Sequence, residues 1–229
     1  MKSILVAFAF AASAFLFSGT SLALEPGERV DNFRLLDQAG ASHELYYLSD
    51  AKAVVLMTYG NGCGIVQKSL PRLRQIRDEY RGKGVEFLLI DSNLQDDREA
   101  VARESAEFGN DLPILIDETQ LIGEVLGVDR TADVFVVDPK TWRLLYRGPV
   151  DDRLSYGAQK VEATSQYLID ALDATLAGKP VAMPKAEALG CRSTCRNETT
   201  SPRMQKFPTP SALHRCWWTN ASPAIGKAA

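Results

Sequence analysis

Histidine and cysteine are scarce in this chain. Its 229 residues include two histidines, His43 and His214, and four cysteines, Cys63, Cys191, Cys195 and Cys216. Four cysteines are too few for a disulfide-scaffold fold at this length, and they allow three pairings. Their work is therefore local chemistry rather than general stapling. So few imidazoles leave little for a metal site, and no Cys or His spacing matches a standard zinc site. Beyond the first 23 residues no apolar run is long enough to span a bilayer. The body also lacks surplus positive charge. Residues 191–229 hold six Lys/Arg and one Glu, a balance of +5, so the total of −3 leaves −8 for residues 1–190. An acidic body argues against nucleic acid as a partner.

The N-terminus, "MKSILVAFAFAASAFLFSGTSLALEPG", has a basic start at Lys2, an apolar run from Ile4 to Phe17 and the small-residue pattern Ser21-Leu22-Ala23. This is the plan of a secretory signal peptide over residues 1–23, cleaved after Ala23. The alternative is an uncleaved anchor, but the run is shorter than the ~20 residues a spanning helix needs. All four cysteines lie in the exported part. Export, read here as to the periplasm, places them where thiols pair unless something keeps them reduced. Residues 24–190 form one domain. Residues 191–229 are basic, rich in Ser, Thr and Pro and without apolar periodicity, as in a disordered tail. A shifted reading frame in the gene would give the same abrupt change.

Within the body, residues 32–48 read as a hairpin around Ala39-Gly40. "AVVLMTY" (53–59) is a continuous apolar run, as in a strand buried on both faces. Val66, Leu70, Leu73, Ile76 and Tyr80 then follow helical steps, with Lys68, Arg72, Arg74 and Arg77 opposite. "VEFLLID" (85–91) is a second buried strand. The next helix is capped by Asp96 or Asp97. "PILID" and "TQLIGEVLG" give a short strand and helix. "DVFVVD" and "WRLLYRG" are strands joined by a turn at 138–141. A last helix is expected over 159–177. The order β-α-β-α-β-α-β-β-α predicts a largely parallel sheet with helices on both faces and an antiparallel closing hairpin.

"TYGNGCGIVQKSLPRL" (58–73) places Cys63 between the first buried strand and the following helix. Unpaired N–H groups and the helix dipole stabilise an anion there, so the thiol loses its proton more easily. The flanking Gly60, Gly62 and Gly64 suit a tight turn that exposes the sulfur. The competing reading is a buried structural cysteine, which packs as a small hydrophobe. Pro71 lies inside the helix, eight residues after Cys63, where proline costs ~3 kcal/mol.

"NFRLLDQAGASHELYYLSDAKAVVLMTYGNGCGIVQKSLPRLRQIRDEYRGKGVEFLLIDSN", continued by "GVDRTADVFVVDPKTWRLLYRGPVDD" and "ALGC", resembles the thioredoxin-like redoxins. The resemblance is to the branch grouped with alkyl hydroperoxide reductase and thiol-specific antioxidant proteins. It is closest to an exported subgroup with one cysteine at the turn and a Gly-Cys near the C-terminus. It implies an α/β thioredoxin-like fold, a central mixed sheet flanked by helices, with an N-terminal hairpin extension. It also implies thiol–disulfide exchange, or antioxidant chemistry on peroxides, with no cofactor and no resident metal. The departures are specific. Dithiol thioredoxins use C-x-x-C, and here the second position is Val66. Peroxiredoxins place Pro and Thr where this chain has Leu56 and Gly60. The proline that such folds set opposite the cysteine is Ala132, so the Thr131–Ala132 bond is expected to be trans.

Cys63 is therefore the candidate nucleophile. Arg130, placed near it by the family's geometry, is a candidate thiolate stabiliser. Tyr59, Asn61, Thr131 and Ala132 are candidates for binding substrate, a protein or small-molecule thiol or disulfide. No nucleic acid and no stable membrane insertion are expected. A lone thiol that attacks a disulfide or peroxide needs a second thiol for release. Cys191, which matches the subgroup's Gly-Cys, is the internal candidate. The stretch from Gly178 to Gly190 reaches at most ~45 Å when extended, enough to fold back. The competing outcome is a static Cys191–Cys195 bridge. Two other classes of function remain. One is a non-catalytic module that kept the fold, favoured by Val66 and Ala132. The other is copper or zinc held by Cys191, Cys195, His214 and Cys216. Thioredoxin-fold copper carriers use C-x-x-x-C at the turn, and Gln67 breaks that pattern.

Overall fold

The run 53–59 forms the middle of a seven-stranded sheet. The structure, a computed structural model, describes residues 23–154 and 159–193. Its elements are β1 (Arg34–Asp37), β2 (Ser42–Glu44), β3 (Ala53–Tyr59), α1 (Gly64–Tyr80), β4 (Val85–Asp91), α2 (Arg98–Glu107), β5 (Ile114–Ile116), α3 (Leu121–Leu126), β6 (Val134–Asp138), β7 (Arg143–Gly148) and α4 (Tyr167–Leu176). The strand order is β2-β1-β5-β4-β3-β6-β7. Only the β3–β4 and β4–β5 pairings are parallel. β1, β2, β6 and β7 pair antiparallel, so the sheet is mixed and the largely parallel arrangement expected from the alternation is confined to its centre.

Every residue of β3 is buried, as a continuous apolar run requires when both faces of a sheet are covered. Ala53, Val55, Met57 and Tyr59 face α1 and α4, where they meet Val66, Leu70, Leu73, Leu168 and Leu172. Val54 and Leu56 face the opposite layer, with Leu24, Phe33, Leu45 and Leu126. The period-2 alternation of the strand divides one sequence between two cores. Pro71 lies within α1, which continues to Tyr80.

Asp97 caps α2, its side chain accepting from Ala100 N at 2.7 Å. Asp96, the other candidate cap, is used elsewhere. Asp97→Ala is expected to cost ~1 kcal/mol in urea unfolding and to leave cysteine chemistry unchanged. The last helix starts at Tyr167, later than residue 159. The reason is Asp152, whose Oδ1 accepts the Thr164 and Ser165 amides at 2.9 and 3.1 Å and holds that stretch as a loop. Among the described residues no helix is long and apolar enough to cross a membrane.

From Pro180 the chain returns as an extended strap. Arg147 N donates to Pro184 O and Ala186 N to Arg147 O, both at 2.9 Å. The strap then runs antiparallel to residues 129–131, with Thr131 N bonded to Cys191 O and Ser193 N to Asp129 O. Cys191–Ser193 are thus docked on the body. Cys195, His214 and Cys216, and residues 1–22 of the expected signal peptide, lie outside the described residues.

Candidate functional site

Cys63 is the N-cap of α1. Its carbonyl accepts Gln67 N at 3.0 Å, and its amide closes a turn on Gly60 O at 3.1 Å. The turn hangs on two carboxylates from the neighbouring layer. Asp96 Oδ2 accepts Asn61 N at 2.9 Å, and Glu104 Oε2 accepts Gly62 N at 2.6 Å. Glu104 Oε1 also accepts Gln67 Nε2 at 2.8 Å. Gly60 is needed for close approach: a Cβ there would lie 2.6 Å from Thr131 Cγ2 and 2.9 Å from Asn93 Nδ2.

The sulfur is covered. Cys63 is 4% exposed, where the turn by itself pointed to an open thiol. Its cover is the strap. Cys63 Sγ lies 2.7 Å from Cys191 Sγ and 3.1 Å from Thr131 Oγ1. Both cysteines are in the free form, and Cys191 is exposed. Two sulfurs separated by 128 positions in the sequence meet at one point. The position that would carry the second cysteine of a local dithiol, Val66, is fully buried in the core.

This contact divides the two thiols electrically. The Cys63 thiol is lowered from an ordinary 9.0 to about 5, first because Cys191 S–H donates to it. Burial opposes the shift, and the Thr131 hydroxyl reinforces it. The Val66 amide in the first turn of α1 adds a weaker pull. Cys191 is pushed upward, chiefly by the same contact. Of the two thiols Cys63 is therefore the one that ionises first.

The loop opposite the cysteine is fixed by Thr58. Its Oγ1 donates to Arg130 O at 2.9 Å and accepts from Asp133 N at 2.8 Å, while Thr58 O accepts Ala132 N at 2.7 Å. No peptide bond among the described residues is cis, so Thr131–Ala132 is trans as expected, and Ala132 takes φ +57°. A non-glycine residue in the left-handed region costs on the order of 1 kcal/mol, and here the Thr58 bonds hold it. Arg130 sends Nη1 to Gly190 O at 3.3 Å, so its guanidinium reaches the strap. Tyr59 faces the core and is 2% exposed, and burial raises its phenol. Asn61 contributes its amide to Asp96. Of the candidates, Cys63, Cys191 and Thr131 therefore converge on one point, and Arg130 joins them through Gly190.

The sequence reading passed over Asn93. It lies in the quoted "LLIDSN", just past the carboxyl end of a parallel strand, where α/β sheets gather their sites. That location was the available signal. Beside it, Asp91 and Asp96 form a buried acid pair. Burial and the neighbouring Asp96 push Asp91 well above the usual carboxylate range, and Asp96 is raised as well, mainly by burial. Asp96 Oδ2 is the oxygen that receives Asn61 N.

The architecture and the cysteine at the β3–α1 turn define a thioredoxin-like redoxin. The chain matches the redoxin family over residues 25–162, more than half its length, and belongs to that family. It is 30% identical over 115 residues to the thiol-disulfide oxidoreductase ResA of Bacillus anthracis, covering 50% of this chain and 65% of that protein. The chain thus spans just under two thirds of the length of such curated relatives. A hypothetical protein from Sinorhizobium meliloti 1021 superposes with TM-score 0.68 at 29% identity, over 75% of this chain and 95% of that one. The thioredoxin domain of a thiol-disulfide oxidoreductase from Bacteroides vulgatus shares the fold at TM-score 0.52 and 15% identity, over 67% of this chain and 99% of that one.

Proposed function

We propose that this chain is an exported thiol–disulfide oxidoreductase in which Cys63 attacks and Cys191 resolves. The observation that carries the reading is the 2.7 Å approach of the two sulfurs, with Cys63 poised as the thiolate. The strap first swings aside, because Cys63 is buried beneath it. The Cys63 thiolate attacks one sulfur of a substrate disulfide. A Cys63–substrate S–S bond forms, the substrate S–S bond breaks, and one substrate sulfur leaves as a thiolate. That thiolate takes up a proton. Cys191 gives its own proton to solvent and attacks Cys63 Sγ, so the Cys63–Cys191 bond forms and the second substrate thiolate leaves. The substrate has gained two electrons and the protein dithiol has lost them. An external dithiol of lower potential restores the starting state by the same exchange in reverse.

Thr131 supports the step from both sides, with its hydroxyl on Cys63 Sγ and its amide on the strap. Arg130 holds the strap by Gly190 O, and the Ala132 and Asn61 backbones shape the mouth that substrate enters. Residues 24–193 carry this chemistry. The metal reading is weakened because Cys191 is engaged with Cys63.

The test is oxidation of the mature protein with a slight excess of glutathione disulfide, followed by non-reducing peptide mapping. The expected product links Cys63 to Cys191. Recovery of Cys63 only as its glutathione adduct, never joined to Cys191, refutes internal resolution. The same oxidation with a slight excess of hydrogen peroxide is read the same way: the Cys63–Cys191 disulfide is expected, and overoxidised Cys63 never joined to Cys191 refutes internal resolution. Export is tested apart from this. N-terminal sequencing of the exported fraction should read Leu-Glu-Pro, and intact Met1 in the membrane fraction would contradict it.

A further inference from the structure

Asn93 is 7% exposed and joins its own stretch, 91–96, to the end of β3 and to the strap. Its Nδ2 faces Asp91 Oδ1 and Asp96 Oδ2, each at 3.0 Å, and Tyr59 O at 3.2 Å. Its Oδ1 accepts the Ser193 hydroxyl at 2.7 Å. The chemistry fixes the amide's orientation: the Tyr59 carbonyl can only accept, so the NH2 group faces it and the two acids, and the oxygen faces the hydroxyl. Asp96 Oδ2, bonded to Asn93, is the same oxygen that receives Asn61 N in the turn before Cys63. One amide therefore ties the Cys63 turn, through Asp96, to the strap two residues beyond Cys191, through Ser193.

We propose that Asn93 is a positioning residue for the cysteine pair: with Ser193 it latches the strap so that Cys191 stays over Cys63. The inference rests on the exchange reading above and adds a residue to it. The strap is held before Cys191 by Ala186 N on Arg147 O, at Cys191 by Thr131 N on its carbonyl, and after it by Ser193, whose amide donates to Asp129 O and whose hydroxyl donates to Asn93 Oδ1. Loss of the Ser193 side-chain bond leaves this segment to its backbone bonds with Thr131 and Asp129, and Cys191 is then held less closely over Cys63. The side-chain anchor adds to these bonds and raises the effective concentration of Cys191 at Cys63, and so how well it competes with an outside thiol for the mixed disulfide. The buried acid pair makes the anchor rigid, because Asn93 cannot turn without leaving Asp91 and Asp96 short of a donor.

The latch is tested in glutathione redox buffers on the mature chain, reading the ratio of Cys63–Cys191 disulfide to Cys63–glutathione adduct by mass spectrometry. Ser193→Ala is expected to lower that ratio about fivefold, the worth of one hydrogen bond, with the melting temperature nearly unchanged. Ser193→Thr keeps the hydroxyl and should restore it. Asn93→Ala removes the tie to both segments and should lower the ratio by more than tenfold, being the only one of the three expected to reduce stability as well. A Ser193→Ala ratio within about twofold of wild type overturns the latch while the exchange reading stands. Failure of Ser193→Thr to recover it also counts against the latch. Absence of the internal disulfide from the wild-type protein overturns both.

Discussion

Gly190→Ala is expected to suppress the Cys63–Cys191 disulfide by roughly a hundredfold in glutathione buffer, most of the gain that tethering gives a second thiol. The cause is one methyl group. A Cβ at Gly190 would fall 1.7 Å from the Thr131 carbonyl oxygen and 2.4 Å from its carbon. Both are backbone atoms, so no rotamer change relieves the clash and the strap has to lift. Lifting breaks the 2.9 Å bond from Thr131 N to Cys191 O and withdraws the sulfur beside it. Cys63 then loses its cover. Two measurements should move in opposite directions: alkylation of Cys63 by a bulky maleimide speeds up, while internal disulfide formation slows. Global loss of structure would speed the alkylation of every cysteine alike, and a thermal melt excludes it independently. Wild-type disulfide yield in Gly190→Ala would mean that Cys191 reaches Cys63 by another path and that the docked strap is not the resolving geometry.

How much of this was legible in the sequence varied from residue to residue. β3 was readable because a strand buried on both faces has no polar position to disguise it. The α1 stripe from Val66 to Tyr80 was readable because its period is a property of the helix alone. Cys63 followed from its place between those two elements. Its burial did not, because the cover comes from Cys191, 128 positions away, and local pattern says nothing about which distant segment returns. Cys191 entered as a partner through tether length and family resemblance, both blind to Thr131 and Gly190. The start of α4 was misplaced because Asp152 captures two amides that helical propensity would have spent on the helix. Asn93 was invisible for a related reason: an asparagine after a strand is ordinary, and only the fold brings Asp96, Tyr59 and Ser193 to it.

Removing the Cys191 thiol should change how Cys63 titrates. The largest cause of its low pKa, about 5 against an ordinary 9.0, is the hydrogen bond from Cys191. In Cys191→Ala the Thr131 hydroxyl and the start of α1 remain to hold the thiolate, and burial still opposes them. The midpoint of Cys63 alkylation against pH should therefore rise by more than ~1 unit. Folding stability of the reduced protein should report the same pair. A folded pKa below the unfolded value means that the unfolded chain binds the extra proton between about 5 and 9.0. Stability from Cys63 is therefore complete above 9.0 and is lost as pH falls toward 5. Cys191 has the opposite sign. Its folded pKa is raised, so above an ordinary 9.0 the unfolded chain ionises first and stability declines. Urea titrations of the reduced wild type across pH should climb to a maximum near 9 and then turn down. In Cys191→Ala the climb should shrink and the cysteine part of the downturn vanish. Identical pH slopes in the two proteins would show that the sulfurs do not share a proton, and Cys63 would then owe its reactivity to the helix terminus and Thr131 alone.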